Sequence, residues 1–282
     1  MHICCCCHRM KVMTGSEVYF FELCSALVEL GHKVTLAAPE ISVFYKQKCH
    51  NAGFELVPIF ELNDGYDLIL MSHYKSFEQF IPKHTPIVNI IHSEIYDLEQ
   101  PFISDQVVKY IGVRDTICQK LINEYGIDPS KVQMIRNPID LSKFNTNNCQ
   151  DQQYGLFVGT MGGLRYKPAI HFAEFCKINK LKSVYIGPEN EFLPFFDSVF
   201  PATEAIEDYF KNCSISGGII QGRTYFEAKL CGKKTIEYYI NGMGMLDNIE
   251  YDDEPSLNEL KMLQDTFDRK RVAERIISTT RS

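Results

Sequence analysis

The chain lacks both an excess of basic residues and a long apolar run. Its 282 residues include 29 Lys and Arg against 36 Asp and Glu, which gives a net charge of −7, and neither half is basic. Nucleic acid and anionic membrane are therefore disfavoured as partners, although an acidic protein can still contain a local basic groove. No uncharged apolar stretch approaches the roughly 20 residues that span a bilayer, so we expect any membrane association to be peripheral.

The first residues also lack the features of a secretory signal. Met1-His2-Ile3 has no charged segment, and the apolar run that follows is interrupted at His8-Arg9. The chain has eleven cysteines, four of them consecutive. We expect free thiols in a reducing cytosol, with the protein cytoplasmic, either free or peripheral at the inner membrane surface. Cys4 and Cys7 form a C-x-x-C beside His8, but they point to opposite faces of a strand and no second pair follows, so we interpret them as small buried side chains.

Two common nucleotide-binding fingerprints are absent. No G-x-G-x-x-G opens the first predicted helix, and no G-x-x-x-x-G-K-[ST] occurs anywhere in the chain. A NAD-dependent dehydrogenase and a P-loop enzyme are therefore disfavoured.

Short apolar runs alternate with amphipathic segments of helical period. This alternation predicts βαβ units, in which helices cover both faces of parallel sheets, and the length favours two domains. A polar segment without periodicity at 145–153 predicts the boundary, so we place the domains at 1–147 and 148–255. Residues 256–277 are predicted to be helical and begin with the capping-box pattern Ser256…Glu259.

Three predicted strand-to-helix loops combine glycine with polar or basic residues, at 14–16, 159–167 and 221–224. Ligands of parallel sheets bind at such loops, where helix N-termini favour anions. Arg165, Lys167 and Arg223 would add charge-assisted hydrogen bonds, and a diphosphate is the natural ligand. The alternative is that these loops are ordinary turns with exposed basic residues. His92 ends a predicted strand at the same edge, where it is either functional or structural.

Five segments of the chain carry a recognisable pattern, and they follow one another in a fixed order. They are Thr14-Gly15-Ser16-Glu17 with the later Gly31-His32-Lys33-Val34-Thr35, then Ile91-His92-Ser93, the segment 132–144 with Asn137-Pro138-Ile139-Asp140, Phe157-Val158-Gly159, and 227–236 with Glu227-Ala228. Over nearly the whole chain they resemble the retaining nucleotide-sugar glycosyltransferases with the GT-B fold, the group 1 or family four-like enzymes. The segment 132–144 is the most specific match.

The resemblance implies an α/β protein of the GT-B fold, with two Rossmann-like domains whose parallel sheets face across a cleft. The N-terminal domain would lie on the acceptor side, and the C-terminal domain would hold most of the donor. Residues 256–282 would pack back toward the N-terminal domain. The alternative is that they form a plain cap on the second domain.

The same resemblance implies the site residues. His92, Arg165 and Arg223 would be catalytic, His92 through a donor-sugar hydroxyl and the arginines through the diphosphate, with Arg223 placed there by spacing. Glu227 would bond the ribose hydroxyls. The full donor-binding set is Gly15, Ser16, Gly162, Gly163, Lys167, Gly187, Gly222, Thr224 and Glu227. Two departures stand out, because Thr160 replaces an arginine of the family and Ile219 replaces a glutamate that contacts the donor sugar.

The implied reaction is retaining transfer of a hexose or pentose from a nucleotide-sugar to an acceptor hydroxyl on a glycan, lipid-linked sugar or small molecule. We expect no metal and no cofactor beyond the donor, such as a UDP- or GDP-sugar. One alternative is a phage-type enzyme that glycosylates hydroxymethylated bases in DNA. The other, motivated by Thr160 and Ile219, is a degenerate protein that binds nucleotide-sugars without catalysis.

Overall fold

The computed structural model describes residues 1–94, 96–160, 165–187, 193–219, 222–240 and 246–280. The chain divides into two compact units. Unit 1 comprises Met1–Pro138 and Thr266–Ser282, and unit 2 comprises Ile139–Asp265.

Unit 1 is built on a seven-stranded parallel sheet with the order β5-β3-β1-β6-β7-β8-β9. Its N-terminal elements are β1 (His2–Cys6), β2 (Arg9–Met10), α1 (Gly15–Glu29), β3 (Lys33–Ala38), β4 (Glu40–Ile41), α2 (Val43–Asn51) and β5 (Glu55–Pro58). They are followed by β6 (Leu68–Met71), β7 (Ile87–Ile91), β8 (Val107–Gly112), α3 (Asp115–Asn123) and β9 (Val132–Met134). The chain runs outward from β1 through β3 to β5 and then returns to β6, so the strand order reverses between β1 and β6.

The central strands of unit 1 are buried because helices cover the sheet. Ile3 to Cys6 of β1 and Leu70 and Met71 of β6 have no exposed surface. Continuous apolar runs of this kind are typical of parallel strands buried on both faces. All eleven cysteines of the chain are free, and the four of 4–7 lie in this core, as their apolar surroundings in the sequence predict.

Unit 2 contains a six-stranded sheet with the order β12-β11-β10-β13-β14-β15. Its elements are β10 (Gln152–Val158), α4 (Tyr166–Ile178), β11 (Lys182–Gly187), β12 (Ser198–Pro201), α5 (Ile206–Asn212), β13 (Cys213–Ile219), α6 (Arg223–Leu230), β14 (Lys234–Ile240), β15 (Leu246–Asp252) and α7 (Leu257–Phe267). The strands pair in parallel except β15, which is antiparallel to β14. The order reverses between β10 and β13, so both units have the Rossmann arrangement.

The C-terminal helical stretch consists of two helices. After α7, Asp268 accepts hydrogen bonds from the backbone N–H groups of Lys270 and Arg271 and so caps α8 (Arg269–Thr279). Val272 and Ile276 of α8 are fully buried in the unit 1 core. Arg269 binds Glu22 on α1 at 3.0 Å. The last helix therefore belongs to unit 1.

The division between the units differs from the domain boundary expected at 147–148. Unit 2 begins at Ile139, which is fully buried. Phe144 is also buried and packs on Phe210 of α5, with ring centroids 6.0 Å apart. These apolar contacts draw 139–147 into unit 2, although the polar composition that follows marks a boundary only at 145.

Candidate functional site

Three histidines follow neighbouring strands at the carboxyl edge of the unit 1 sheet. His8 lies just after β1, His73 after β6 and His92 directly after β7. The ring centroids of His8 and His73 are 6.3 Å apart, and those of His73 and His92 are 5.8 Å apart. His73 has a left-handed backbone conformation with φ of 57°. Such backbone strain in a residue other than glycine is common at functional sites. The cluster lies where the strand order reverses, which is where sheets of this type bind ligands.

The carboxylate of Glu99 holds two of these histidines. Glu99 Oε1 lies 2.9 Å from His73 Nε2, and Glu99 Oε2 accepts the backbone N–H of His92 at 2.8 Å. The other ring nitrogen of His73 lies 3.1 Å from Ser72 Oγ. Burial raises the pKa of Glu99, but the hydrogen bonds from His73 and His92 outweigh it and hold the pKa below its ordinary value. Glu99 is therefore ionised at neutral pH, and it holds the His73 ring and the His92 backbone in place.

The imidazole of His92 is neutral at physiological pH. It packs against Tyr19, with ring centroids 4.5 Å apart, and against Phe20 at 6.1 Å. Burial lowers the pKa of His92 to about 4, and the positive charge of Arg114 acts in the same direction while Glu99 opposes it. Among the described residues, His92 Nε2 and the Tyr19 hydroxyl have no hydrogen-bond partner. A neutral imidazole can donate to or accept from a substrate hydroxyl.

The first turn of α1 contains Gly15 and Ser16, two of the predicted donor-binding residues. A Cβ atom added to Gly15 would meet no atom within 4 Å. Ser16 Oγ donates to Glu17 Oε2 at 3.0 Å, and Glu17 is fully buried. Arg9 Nε donates to Glu17 Oε1 at 2.8 Å, and the Thr14 hydroxyl also donates to this carboxylate. The negative charge of Glu17 thus already compensates the positive end of the α1 helix dipole.

In unit 2, Arg165 precedes α4 and turns back toward the end of β10. Its Nη1 donates to Thr160 Oγ1 at 2.8 Å, so Thr160 and Arg165 are direct hydrogen-bond partners. Lys167 is exposed in the first turn of α4. Gly162 and Gly163 lie outside the described residues.

Gly187 ends β11 at the same edge of the sheet. The Tyr185 hydroxyl donates to the Gly159 carbonyl at 2.5 Å. A Cβ atom on Gly187 would collide with both of these groups, so only glycine fits. Close packing of the strand ends is therefore enough to explain why glycine occupies position 187.

Arg223 and Glu227 are brought together one turn apart on α6. Arg223 Nε donates to Glu227 Oε1 at 2.6 Å, and the two side chains are only 9% and 5% exposed. Gly222 is the N-cap of α6, and Thr224 is half-buried in its first turn. The loops before α4 and α6 follow β10 and β13, the neighbours between which the order of the unit 2 sheet reverses.

Sequence reasoning singled out His92 but missed His8, His73 and Glu99. The two histidines had the same signal, because each follows a predicted strand at the ligand edge. Glu99 had none, since its role depends on the contacts of its carboxylate with His73 and His92, which are distant from it in sequence. No group of three or more His, Cys, Asp or Glu in the described part of the chain is placed to hold a metal ion.

Neither a protein-family model nor a curated protein matches the sequence. Solved structures do match over the full length. HepE of Anabaena, in complex with UDP and glucose, has a TM-score of 0.71 at 11% identity, covering 99% of both chains. The chain has the GT-B fold.

Two further glycosyltransferase structures match the chain. The pneumococcal O-GlcNAc transferase GtfA, in complex with UDP and GlcNAc, has a TM-score of 0.66 at 10% identity and covers 100% of this chain and 98% of its own. An α-glucosyltransferase in complex with UDP and a 13-mer DNA has a TM-score of 0.56 at 12% identity, covering 99% and 94%. The GT-B fold expected from the sequence motifs is therefore confirmed.

Within the described residues, no helix is both long and apolar enough to cross a membrane.

Proposed function

We propose that the protein is a glycosyltransferase that moves a sugar from a nucleotide-sugar to an acceptor hydroxyl. One observation carries the proposal, the likeness over 99% of both chains to a GT-B structure that contains UDP and glucose. The loops at the reversal point of unit 2 support it, because they bring Arg165 and Arg223 to the edge where a diphosphate would bind. A UDP-sugar is the favoured donor, since all three reported neighbours contain UDP.

The proposed donor site combines helix N-termini with guanidinium groups. Arg165, Lys167 and Arg223 would bind the diphosphate, and Glu227 the ribose hydroxyls. Arg223 Nε makes the 2.6 Å contact with Glu227, and a guanidinium has five N–H bonds in all. The ion pair and a diphosphate contact are therefore chemically compatible. Gly162, Gly163, Gly187, Gly222 and Thr224 complete the proposed set.

The chemistry follows from where charge develops. As the sugar–phosphate bond breaks, the diphosphate gains negative charge, and fixed donors around it lower the barrier directly. The acceptor hydroxyl would attack from the face that the diphosphate leaves, which retains the configuration. His92 would bond a donor hydroxyl, and closure over Gly15 and Ser16 would exclude water. We propose that the arginines take the place of a metal ion.

We propose a glycan, a lipid-linked sugar or a small molecule as the acceptor, in preference to DNA. The DNA alternative has one specific observation in its favour, the likeness to the α-glucosyltransferase bound to a 13-mer. The net charge of −7 opposes it, because duplex binding depends on phosphate contacts. A non-catalytic protein remains the third candidate, since Thr160 and Ile219 replace two polar residues of the family. We propose a cytoplasmic location.

The first experiment is a thermal-shift and donor-hydrolysis screen of UDP-, GDP-, ADP- and CMP-sugars. A ligand of the folded state raises Tm by mass action, so we expect a shift with a UDP-sugar and slow hydrolysis. Arg223→Ala and Arg165→Ala should lower donor affinity at least tenfold, while the control Lys182→Ala, at the start of β11 on the opposite edge, should not. Binding without hydrolysis would favour the non-catalytic protein. Complete loss of activity in EDTA would contradict metal independence.

A further inference from the structure

A continuous run of rings follows the carboxyl edge of the unit 1 sheet. Tyr19 contacts His92, His92 contacts His73, and His73 contacts His8, with ring centroids 4.5, 5.8 and 6.3 Å apart. We call these four residues the ring run. It crosses the ends of β1, β6 and β7 and so includes the point where the strand order reverses.

Three polar atoms of the ring run are buried and lack a hydrogen-bond partner among the described residues. They are the Tyr19 hydroxyl, His92 Nε2 and His8 Nδ1. Tyr19 as a whole is only 1% exposed. Folded proteins satisfy nearly all buried polar atoms, and an unsatisfied one costs free energy. Three of them along one run of rings therefore indicate hydrogen bonds that a ligand supplies.

The charged side chains beside the ring run are paired with one another, so they do not favour an anionic ligand. The Glu17 carboxylate is fully buried in the first turn of α1, where it binds Arg9 and the Ser16 hydroxyl. A carboxylate there already matches the positive end of the helix dipole. The Glu99 carboxylate in turn lies 2.9 Å from His73. The nearby cations are also paired, Arg9 with Glu17 and Arg114 with Glu94. A phosphate would therefore find no excess of positive charge here, whereas the hydroxyl groups of a neutral ligand need only hydrogen-bond partners such as the Tyr19 hydroxyl and His92 Nε2.

We infer that the ring run binds a neutral, hydroxyl-rich group of the acceptor substrate, with Tyr19 and His8 as hydrogen-bond partners on either side of His92. The inference rests on the proposed function, because an acceptor exists only if a sugar is transferred. His92, which the proposed reaction places at the donor sugar, is the ring at which the two substrates meet. Glu99 is a positioning residue, since it holds the His73 ring and the backbone of His92.

Two substitutions remove the polar atoms and keep the rings. Tyr19→Phe deletes only the hydroxyl, and His8→Phe keeps a ring against His73. The matched control is Tyr110→Phe, which removes a satisfied hydroxyl of unit 1 that donates to the Phe102 carbonyl at 2.9 Å. Binding of glucose, N-acetylglucosamine and glycerol is measured by saturation-transfer NMR with UDP present. Binding of UDP, UDP-glucose and UDP-N-acetylglucosamine is measured by calorimetry, and folding by Tm.

We expect wild type to bind at least one of the three neutral probes saturably. Its Kd should rise at least fivefold in Tyr19→Phe and in His8→Phe and stay within twofold in Tyr110→Phe. The Kd for UDP and for the UDP-sugars should stay within twofold in all three variants. Tyr19→Phe should keep or raise the Tm, because the deleted hydroxyl had no partner.

Three outcomes would overturn the inference while leaving the proposed function intact. The first is that UDP-loaded wild type binds none of the neutral probes. The second is that folded Tyr19→Phe and His8→Phe bind them as wild type does. The third is an equal loss of affinity for the UDP-sugars, which would assign the ring run to the donor. Wild type that binds no nucleotide-sugar and no UDP would overturn the proposed function and the inference with it.

Discussion

At the scale of single residues, protonation of His92 couples the candidate site to stability. The imidazole has an ordinary pKa near 6.5 in an unfolded chain and about 4 when folded, because burial penalises its charged form. Between these values the unfolded state binds more protons than the folded state. Stability is therefore complete above pH 6.5 and falls as the pH drops toward 4.

We expect His92 alone to remove about 2 kcal/mol of unfolding free energy between pH 7 and pH 5. Glu99, whose pKa is depressed, loses its contribution at lower pH in the same direction. Urea unfolding of wild type and His92→Phe, followed by circular dichroism at the two pH values, isolates the contribution of His92 to this pH dependence. The variant should lose about 2 kcal/mol less than wild type. Equal losses in both proteins would show that His92 is solvated.

The pair of Arg223 and Glu227 shows how one contact serves both folding and the proposed site. Both side chains are nearly buried, so removing either charge takes a close ion-pair partner from the other in a poorly solvated place. Arg223→Met should cost about 3 kcal/mol, while the double variant with Glu227→Met should cost less than the sum of the single ones.

A double-mutant cycle by urea unfolding measures that coupling, which we expect to be about 2 kcal/mol. The control cycle is Lys234 and Asp253, 3.9 Å apart and well exposed, for which we expect a coupling indistinguishable from zero. Similar coupling in both cycles would mean that Arg223 is solvated and available without restriction.

At the scale of elements, helices and strands with a clear apolar period could be predicted from the sequence. The apolar run 87–91 predicts a strand and coincides with β7. The pattern of 224–230 predicts a helix, which agrees with α6 to one residue. The helix α2 was not expected, because only Tyr45 and Cys49 are buried while Val43 is 85% exposed. The edge strand β15 was also missed, since its burial is slight. Elements that bury little apolar surface leave little periodicity to find.

The site followed the same division. A histidine that ends an apolar strand is visible in the sequence, and this made His92 a candidate. The hydrogen bond of Arg165 to Thr160 and the contacts of Glu99 with two histidines join residues that lie five or more positions apart. No local sequence pattern predicts such contacts, so they could be found only in the structure.

The glycines at the ends of the elements separate packing from binding. Gly187→Ala at the end of β11 should cost at least about 2 kcal/mol, because the added methyl group collides with the Tyr185 hydroxyl and the Gly159 carbonyl. Gly15→Ala at the start of α1 meets open space and should leave stability unchanged or slightly raised. If Gly15 lets unit 1 approach the donor, the same variant should weaken donor binding in calorimetry. Unchanged affinity would remove Gly15 from the proposed set.

At the scale of the whole molecule, unit 1 is built from two separate stretches of the chain, and unit 2 lies between them in the sequence. The chain enters unit 2 at Ile139 and returns to unit 1 at Thr266. The length predicts two domains and the residue counts predict that neither half is basic, because both properties are sums over many residues. The return of the chain depends on a few residues of α8, which the sequence presents as an amphipathic helix without stating its partner.

Arg269 anchors that return. It binds Glu22 at 3.0 Å and Glu29 at 2.5 Å, both on α1, and is 20% exposed. Its neighbour Lys270 is 53% exposed and binds Glu29 at 3.1 Å. Because Glu22 is nearly buried, Arg269→Ala removes a cation bound to a poorly solvated carboxylate, whereas Lys270→Ala removes only a surface contact.

We therefore expect Arg269→Ala to destabilise unit 1 by about 2 kcal/mol and Lys270→Ala by less than about 0.5 kcal/mol. Ile276→Ala, at a fully buried position of α8, should cost about 3 kcal/mol through the cavity that it leaves. Amide hydrogen exchange locates the effect, which should appear in α8, α1 and β1. Faster exchange in β13 and β14 instead, with α1 and β1 protected as in wild type, would show that α8 stabilises unit 2, in contradiction to its contacts with the first helix.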